Sequence, residues 1–263
     1  MKAMIFAAGL GTRLKPLTDR MPKALVPVCG RPLLSHVIGR LKAAGYDDIV
    51  INVHHYADMI EDYVRSNGDF GVRIRFSDER ALLLDTGGGI LYARPLLEGE
   101  GRFLVHNVDI LSDVDFRWLE NSVRPDSVAT LLVSERKTSR YLLFDRDMRM
   151  TGWTNVSTGQ VRSPYPPGAS SSMFFAKYAF SGIHILSDAV FPFLEEYARR
   201  AVAGTGEQEN RPDATIGPVR FSITDFYIGM CSSMTVRGVV PSSLDIVDVG
   251  KPGTLAEAER LVL

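Results

Sequence analysis

The chain has 263 residues, of which 45% are hydrophobic and 23% are charged. This is the composition of a globular protein that is long enough for one large α/β domain or two smaller ones. Its 30 basic and 31 acidic residues give a net charge of −1, which argues against a surface built for nucleic acid or an anionic membrane. The two cysteines, Cys29 and Cys231, are too isolated to predict a disulfide framework or a zinc site.

Targeting signals are not recognisable in the sequence. The apolar run that follows Met1 and Lys2 is too short for a signal peptide, and no stretch is apolar enough to predict a membrane span. We therefore expect a cytoplasmic protein with no membrane partner. A monomer and a small homo-oligomer remain equally open.

The first half of the chain alternates strand-like and helical patterns. An apolar run at residues 4–7 leads into a glycine-containing segment, and a helical period then runs from Pro32 to about Gly45. Further strands are predicted at 49–53, 72–76 and 103–105, with helices at 57–64 and after an open loop formed by glycines 87–89. This alternation predicts a doubly wound, mostly parallel α/β sheet with binding loops at the carboxyl ends of its strands.

The pattern changes after about residue 128. Strand-like runs at 128–133, 141–144 and 179–185 are separated by irregular segments, which indicates an elaboration of the same sheet. Residues 160–172 and 204–218 are predicted to be surface loops, and whether they act as lids is open. A short helix at 254–261, with Thr254 near its N-cap, ends the chain.

The segment between residues 8 and 23 has the properties of a phosphate-binding loop. Small residues let backbone N–H groups approach an anion, and two cations on what we expect to be a solvent-facing loop supply positive charge. A dinucleotide-binding fingerprint is disfavoured because Leu14 replaces its third glycine, and the spacing of a P-loop is missing. The candidate phosphate-binding residues are Ala8, Gly9, Gly11, Thr12, Arg13 and Lys23.

This segment resembles the signature of the sugar-1-phosphate nucleotidyltransferases, L-A-A-G-x-G-T-R-L-x-P-L-T-x-x-x-P-K. The chain reads F-A-A-G-L-G-T-R-L-K-P-L-T at 6–18 and P-K at 22–23. Later elements also match: D-T-G-G-G-I at 85–90, N-V-D at 107–109, F-S-G-I at 180–183 and V-D-V-G at 247–250. The resemblance covers nearly the whole chain and is weakest between residues 135 and 175.

The resemblance implies a single Rossmann-like domain over residues 1–263, with a nucleotide-binding half at 1–127 and a sugar-binding half at 128–263. The implied reaction joins an NTP and a sugar 1-phosphate into an NDP-sugar and pyrophosphate by direct in-line attack. Arg13 would stabilise the departing pyrophosphate, and Lys23 would bind phosphates. Asp109 and Asp248 would hold Mg²⁺, since carboxylates at strand ends are its usual ligands, although each could instead be a turn aspartate.

The same resemblance suggests where the base and the sugar bind. Glycines 87–89 would lie against a flat base, which together with the resemblance to the uridylyltransferases of muramic acid 1-phosphate favours UTP. Nucleotide contacts are expected from Thr86 and Gly87. Asn52 is equally well explained as a base or ribose ligand and as a turn amide. Sugar contacts are expected from Asn107 and Gly182.

Three alternatives stay open. The chain could be a guanylyltransferase for heptose 1-phosphate, a cytidylyltransferase for phosphocholine, or a non-catalytic nucleotide-sugar sensor of the same fold. The joint presence of the two cations and the two aspartates argues against the sensor. Val108, at a position where the family has a small residue, leaves open how closely the backbone can approach the sugar phosphate.

Overall fold

The computed structural model describes residues 1–166, 174–203, 217–250 and 252–262. The strands are β1 Lys2–Phe6, β2 Pro27–Val28, β3 Arg31–Pro32, β4 Asp48–Val53, β5 Arg73–Asp78, β6 Arg102–Asn107, β7 Ile110–Ser112, β8 Ala129–Ser134, β9 Arg140–Phe144, β10 Met150–Asn155, β11 Gln160–Arg162, β12 Ala176–Ser187, β13 Val236–Val239 and β14 Ile246–Asp248. The helices are α1 Leu33–Ala43, α2 Ala57–Ser66, α3 Asp85–Tyr92, α4 Arg94–Leu97, α5 Phe116–Asn121, α6 Val190–Ala203, α7 Ile223–Met230 and α8 Leu255–Val262.

A mixed sheet forms the centre of the molecule. Strand β1 lies between β4 and β6 and is parallel to both, and β5 extends the parallel set beyond β4. Strand β12 joins this set to the second half of the chain, because it pairs antiparallel with β6, β8 and β9. The predicted doubly wound, mostly parallel α/β sheet is confirmed, and the second half adds an antiparallel extension of the same sheet.

Helices cover both faces of the sheet, as a doubly wound fold requires. Apolar side chains of α1 and α2 pack on one face with residues such as Ile5 and Ile51. Side chains of α3, α6 and α7 pack on the other face with Met4 and Val105. Because side chains alternate along a strand, successive residues of β1 enter different cores. This burial on both faces accounts for the unbroken apolar run that the sequence shows there.

The predicted elements of the first half agree with the structure except at the glycines of residues 87–89. The sequence predicts an open loop ahead of a helix, but these glycines lie inside helix α3 and are buried. Their small size therefore serves packing against the rest of the protein.

The second half contains elements that the sequence pattern does not predict. Strand β11 begins inside the expected loop at 160–172, and α6, α7 and β13 were not predicted. Most of the expected loop at 204–218, and the end of the loop at 160–172, lie outside the described residues. Within the described ranges, no helix is both long and apolar enough to cross a membrane.

Candidate active site

A cleft of about 400 Å³ lies at the carboxyl ends of β1, β4 and β6. The chain proceeds from β1 to β4 and β5 on one side and then returns to β6 on the other side, so the cleft is at the point where the strand order reverses. Ligands bind at this position in open α/β sheets. The predicted site residues that line the cleft are Ala8, Gly9, Gly11, Thr12, Arg13, Lys23, Asn52, Thr86, Asn107 and Asp109.

Gly11 shapes the phosphate-binding loop. Its φ of 64° lies in the left-handed region, and a Cβ there would be 2.9 Å from Thr18 Cγ2. The Thr18 hydroxyl donates a hydrogen bond to the Gly11 carbonyl oxygen at 2.8 Å, which fixes the turn. Only glycine fits both the backbone conformation and the close approach. The turn that follows presents Arg13 as an exposed cation at the cleft.

The sequence suggests that Lys23 lies on a solvent-facing loop, and this prediction is wrong. Lys23 is buried, with 8% of its surface exposed, and its Nζ forms an ion pair with Asp109 Oδ2 in the cleft. The short helical turn Lys23–Leu25 packs against α1, which buries the Lys23 stem while its ammonium reaches Asp109. Lys23 and Asp109 therefore form one charged unit at the end of β6.

Asp248 reaches the same region through backbone pairing. Strand β14 pairs antiparallel with β7, and the N–H of Val249 donates to the Asp109 carbonyl at 2.8 Å. Asp248 is exposed and does not line the cleft itself, whereas Gly250 does. A Cβ on Gly250 would lie 2.7 Å from Asp248 Oδ1 and 3.2 Å from Arg13 Nη2. The absence of a side chain at Gly250 thus lets a carboxylate and a guanidinium converge at the cleft.

These carboxylates fit a magnesium ion in chemical type. Mg²⁺ is commonly bound by one or two carboxylates together with substrate phosphates and waters. Asp109 and Asp248 supply that number from two paired segments, and the described residues hold no cluster of three acidic, histidine or cysteine side chains that would form a complete protein cage. Such a donor set would suit a metal that is shared with a phosphorylated ligand.

Asn52 lines the cleft, but its amide is already engaged by protein groups. Its Oδ1 accepts hydrogen bonds from the Ala7 N–H at 2.7 Å and the Ala8 N–H at 3.3 Å. Its Nδ2 donates to Glu79 Oε1 at 2.8 Å, and the residue is 3% exposed. These hydrogen bonds leave one Nδ2 hydrogen of Asn52 without a partner among the described residues, so its contact with a base or ribose stays a prediction. Through its Oδ1, Asn52 holds the backbone at the start of the phosphate-binding loop.

The glycines of α3 are packed against protein. A Cβ on Gly87 would lie 2.4 Å from the Phe221 ring, and one on Gly88 would lie 2.1 Å from the Val219 carbonyl oxygen. The N–H groups of Gly87 and Gly88 both donate to the Phe221 carbonyl. Gly87 does not line the cleft, so its expected contact with the nucleotide has no support in this geometry. Thr86 does line the cleft, and its Oγ1 accepts from the Ile223 N–H at 2.9 Å.

The expected sugar-side residues are adjacent to one another. Gly182, with φ 78°, leaves room for the Asn107 side chain, because a Cβ on Gly182 would lie 2.7 Å from Asn107 Nδ2. Asn107 lines the cleft, while Gly182 lies behind it. Val108 is buried and its N–H donates to the Phe6 carbonyl at 3.1 Å. That N–H is therefore committed to the protein and is not available to a sugar phosphate.

Sequence reasoning missed three charged residues of the cleft: Glu79, Asp85 and Arg220. Glu79 directly follows β5, and its position after a buried strand could have marked it as a candidate. Asp85 begins the D-T-G-G-G-I element at residues 85–90, and its place in that element could have marked it as a candidate. No local sequence pattern marks Arg220 as a site residue, because it reaches the cleft through contacts between the segment before α7 and helix α3.

Solved structures identify the class of this fold. The chain superposes over 99% of its length on a putative glucose-1-phosphate thymidylyltransferase from Bacillus anthracis, covering 94% of that chain with a TM-score of 0.74 at 21% identity. The whole of this chain also superposes on HddC from Yersinia pseudotuberculosis complexed with GMP-PN. The match covers 99% of that chain, with a TM-score of 0.69 at 22% identity. These likenesses define an α/β protein with a nucleotidyltransferase fold.

Sequence comparison then gives the family. Residues 2–205 match the family described as nucleotidyl transferase, so the chain belongs to the sugar-1-phosphate nucleotidyltransferase family. It is 45% identical over 137 residues to the N-acetylmuramate alpha-1-phosphate uridylyltransferase of Caulobacter vibrioides. The matched segment covers 51% of this chain and 54% of the relative. The enzyme of the same name from Neisseria meningitidis serogroup B is 50% identical over 116 residues, 44% of this chain and 50% of the relative.

A guanylyl-transferring relative matches over a longer segment. The mannose-1-phosphate guanyltransferase of Candida albicans is 30% identical over 200 residues, which is 74% of this chain and 52% of the relative. The matched segments thus span about half the length of each of these curated relatives.

Proposed function

We propose that this chain transfers a nucleotidyl group from an NTP to a sugar 1-phosphate and releases pyrophosphate. The observation that carries the proposal is that two cations, Arg13 and Lys23, line the cleft with Asp109, while a second carboxylate, Asp248, lies beside the cleft at Gly250. Joining two polyanions requires such neutralisation of charge, and family membership makes nucleotidyl transfer the reaction that this chemistry serves.

In the proposed reaction, an oxygen of the sugar phosphate attacks the α-phosphorus of the NTP. The new P–O bond forms as the bond from the α-phosphorus to the oxygen bridging to the β-phosphorus breaks, and that oxygen leaves with pyrophosphate. Arg13, exposed at the loop, stabilises the leaving charge. Lys23, fixed by its ion pair with Asp109, holds the phosphates in line for attack.

Asp109 and Asp248 are the residues that would hold Mg²⁺, which supplies neutralisation of phosphate charge when it is bound. Asn107, whose side chain is fixed against Gly182, contributes an amide on the sugar side of the cleft.

UTP is the favoured nucleotide within this proposal. Its support is the 45% and 50% identity to two relatives that carry the name of uridylyltransferases. The packing of glycines 87–89 removes the argument that they select a pyrimidine by lying against it. GTP is the second candidate, because the 30% identity to the guanyltransferase extends over 74% of the chain.

The test is pyrophosphate release from UTP, GTP, CTP and TTP, each combined with N-acetylmuramate, mannose, glucose or heptose 1-phosphate, with Mg²⁺ and after EDTA treatment. We expect release only when an NTP, a sugar 1-phosphate and the metal are all present. Equal NTP turnover without any sugar phosphate would contradict the proposal. Tight NTP binding without turnover on the whole panel would instead support the sensor alternative.

A further inference from the structure

Glu79 is a buried carboxylate of the cleft that the proposed reaction does not use. It is 2% exposed, and burial raises the pKa of its carboxyl. Among the described residues it forms no salt bridge, and both of its oxygens are occupied by hydrogen-bond donors. Oε1 accepts from Asn52 Nδ2 at 2.8 Å, and Oε2 accepts from the Leu84 N–H at 3.1 Å.

These two hydrogen bonds lead to opposite walls of the cleft. Through Asn52, Glu79 is connected to the Ala7 and Ala8 N–H groups, where β1 becomes the phosphate-binding loop. Its other partner, Leu84, is the residue directly before α3. The first turn of α3 brings Asp85 and Thr86 into the cleft.

The third glycine of α3 makes room for this carboxylate. A Cβ on Gly89 would lie 2.8 Å from Glu79 Oε1 and 3.4 Å from Asn52 Nδ2. Glycine lowers helix stability relative to alanine, so its presence inside α3 calls for a steric reason. The approach of Glu79 and Asn52 supplies that reason.

We propose that Glu79 is a positioning residue that sets the phosphate-binding loop and the start of α3 at a fixed separation. This inference rests on the proposed function, because it assigns a role within the same cleft. Positioning of reactants within a fraction of an ångström contributes strongly to the rate of transfer reactions. Loss of the Glu79 hydrogen bonds should therefore lower turnover while the protein stays folded. The hydrogen-bond pattern requires a carboxylate, since both of its partners are donors.

This requirement leads to a charge-swap experiment. In Glu79→Gln, the NH₂ of the new amide must face either Asn52 Nδ2 or the Leu84 N–H. Two hydrogen-bond donors then point at each other, and one of the two hydrogen bonds is lost. In Asn52→Asp, two carboxylates face each other. In the double variant E79Q/N52D, Asp at 52 accepts from the Ala7 and Ala8 N–H groups and from the new amide, whose oxygen accepts from Leu84. Every hydrogen bond is thereby restored.

Pyrophosphate release is measured well below the melting temperature of each variant. Each single variant should lower kcat/KM by about tenfold to hundredfold, with both a higher KM for the NTP and a lower kcat, and the double variant should return to within about threefold of the unmodified protein. Losses that multiply in the double variant would overturn the proposal. So would unchanged kinetic constants in folded Glu79→Gln, because a merely structural role changes only the melting temperature.

A steric pair of variants tests the same link. Gly89→Ala pushes a methyl group onto Glu79 Oε1 and should lower kcat/KM as Glu79→Gln does. Gly39→Ala is the matched control, because Gly39 lies in α1 and a Cβ there would meet no neighbouring atom of the described residues within 4 Å. Equal kinetics for the two alanine variants would contradict the link.

Amide hydrogen exchange of the ligand-free protein keeps this inference separate from the proposed function. If the unmodified protein transfers no nucleotide, the proposed function fails, yet the network can still be tested. Glu79→Gln should speed exchange on the side that faces the new NH₂, either at Leu84 or, through a displaced Asn52, at Ala7 and Ala8, and E79Q/N52D should restore protection. Unchanged exchange at all three N–H groups in Glu79→Gln would refute the link between the two walls.

Discussion

His184 should make the folded protein sensitive to mild acid. It lies in β12, is 1% exposed, and neither of its ring nitrogens has a hydrogen-bond partner among the described residues. Its nearest rings are those of Phe180 and Tyr227, at centroid distances of 5.5 and 5.8 Å. Burial in these surroundings lowers the pKa of His184 from 6.5 to about 3, so the folded protein holds it neutral.

The size and sign of the effect follow from proton linkage. Between pH 6.5 and about 3 the unfolded chain binds a proton that the folded chain does not, so the free energy of unfolding falls as the pH falls through this window. At about pH 5 the loss from His184 is about 2 kcal/mol, and it depends little on the folded pKa as long as that pKa is well below 5. Burial also lowers the pKa of His106 to about 4, which adds a loss of similar sign.

His184→Leu isolates the contribution of this imidazole. Leucine cannot titrate, and the ring it replaces makes no hydrogen bond with the described residues, so the stability of the variant relative to the unmodified protein should rise by about 2 kcal/mol between about pH 8 and pH 5. Urea unfolding, followed by circular dichroism and tryptophan fluorescence, measures this difference at each pH. Phe103→Leu, a change at another buried aromatic residue, is the control and should shift stability equally at every pH. Parallel pH profiles for His184→Leu and the unmodified protein would refute the reasoning.

The remaining predictions concern the cleft. Lys23→Ala and Arg13→Ala should each lower turnover by about 10² to 10³-fold, whereas Lys15→Ala, an exposed change in the same loop, should not. Lys23→Ala should also lower the melting temperature, because it leaves the Asp109 carboxylate without its partner. An unchanged rate in Arg13→Ala would reduce Arg13 to a solvated charge, and an unchanged rate in Lys23→Ala would leave Lys23 only its structural ion pair. The kcat/KM for UTP should be at least about tenfold above that for GTP or CTP, and the reverse order would indicate a guanylyl- or cytidylyltransferase. Asp109→Asn and Asp248→Asn should each nearly abolish activity, and the double variant should cost little more. High Mg²⁺ or Mn²⁺ should restore part of the rate, whereas multiplying losses without metal rescue would show that the two carboxylates do not share an ion.

The sequence predicts the position of the cleft because that position depends on local patterns. Buried runs such as residues 49–53 and 103–105 identify the parallel strands, and polar residues at or just beyond the carboxyl ends of these runs must gather at one edge of the sheet. Asn52, Asn107 and Asp109 all satisfy this rule and line the cleft. The phosphate-binding loop was identified from small residues and cations, which are also local properties.

Burial and long-range contacts are what the sequence could not provide. Lys23 carries the charge expected of it, but its burial depends on the packing of its turn against α1 and on a partner, Asp109, that lies 86 residues away. Glu79 has an ordinary local context, and its importance in the cleft follows from Asn52 and Leu84, which belong to two other segments. No periodicity in the sequence encodes such pairings.

The glycines of α3 show how one residue type can indicate two opposite kinds of environment. A run of glycine commonly marks open backbone beside a ligand, and it also fits where another part of the protein comes close. At Gly88 the neighbouring group is the Val219 carbonyl oxygen, only 2.1 Å from the position of a Cβ, so an alanine there must push the backbone before α7 away. That displacement would carry Arg220 from the cleft and weaken the bond from the Ile223 N–H to Thr86. The glycines therefore influence the cleft indirectly, because they let residues 219–223 pack against α3 and place Arg220 in the cleft lining.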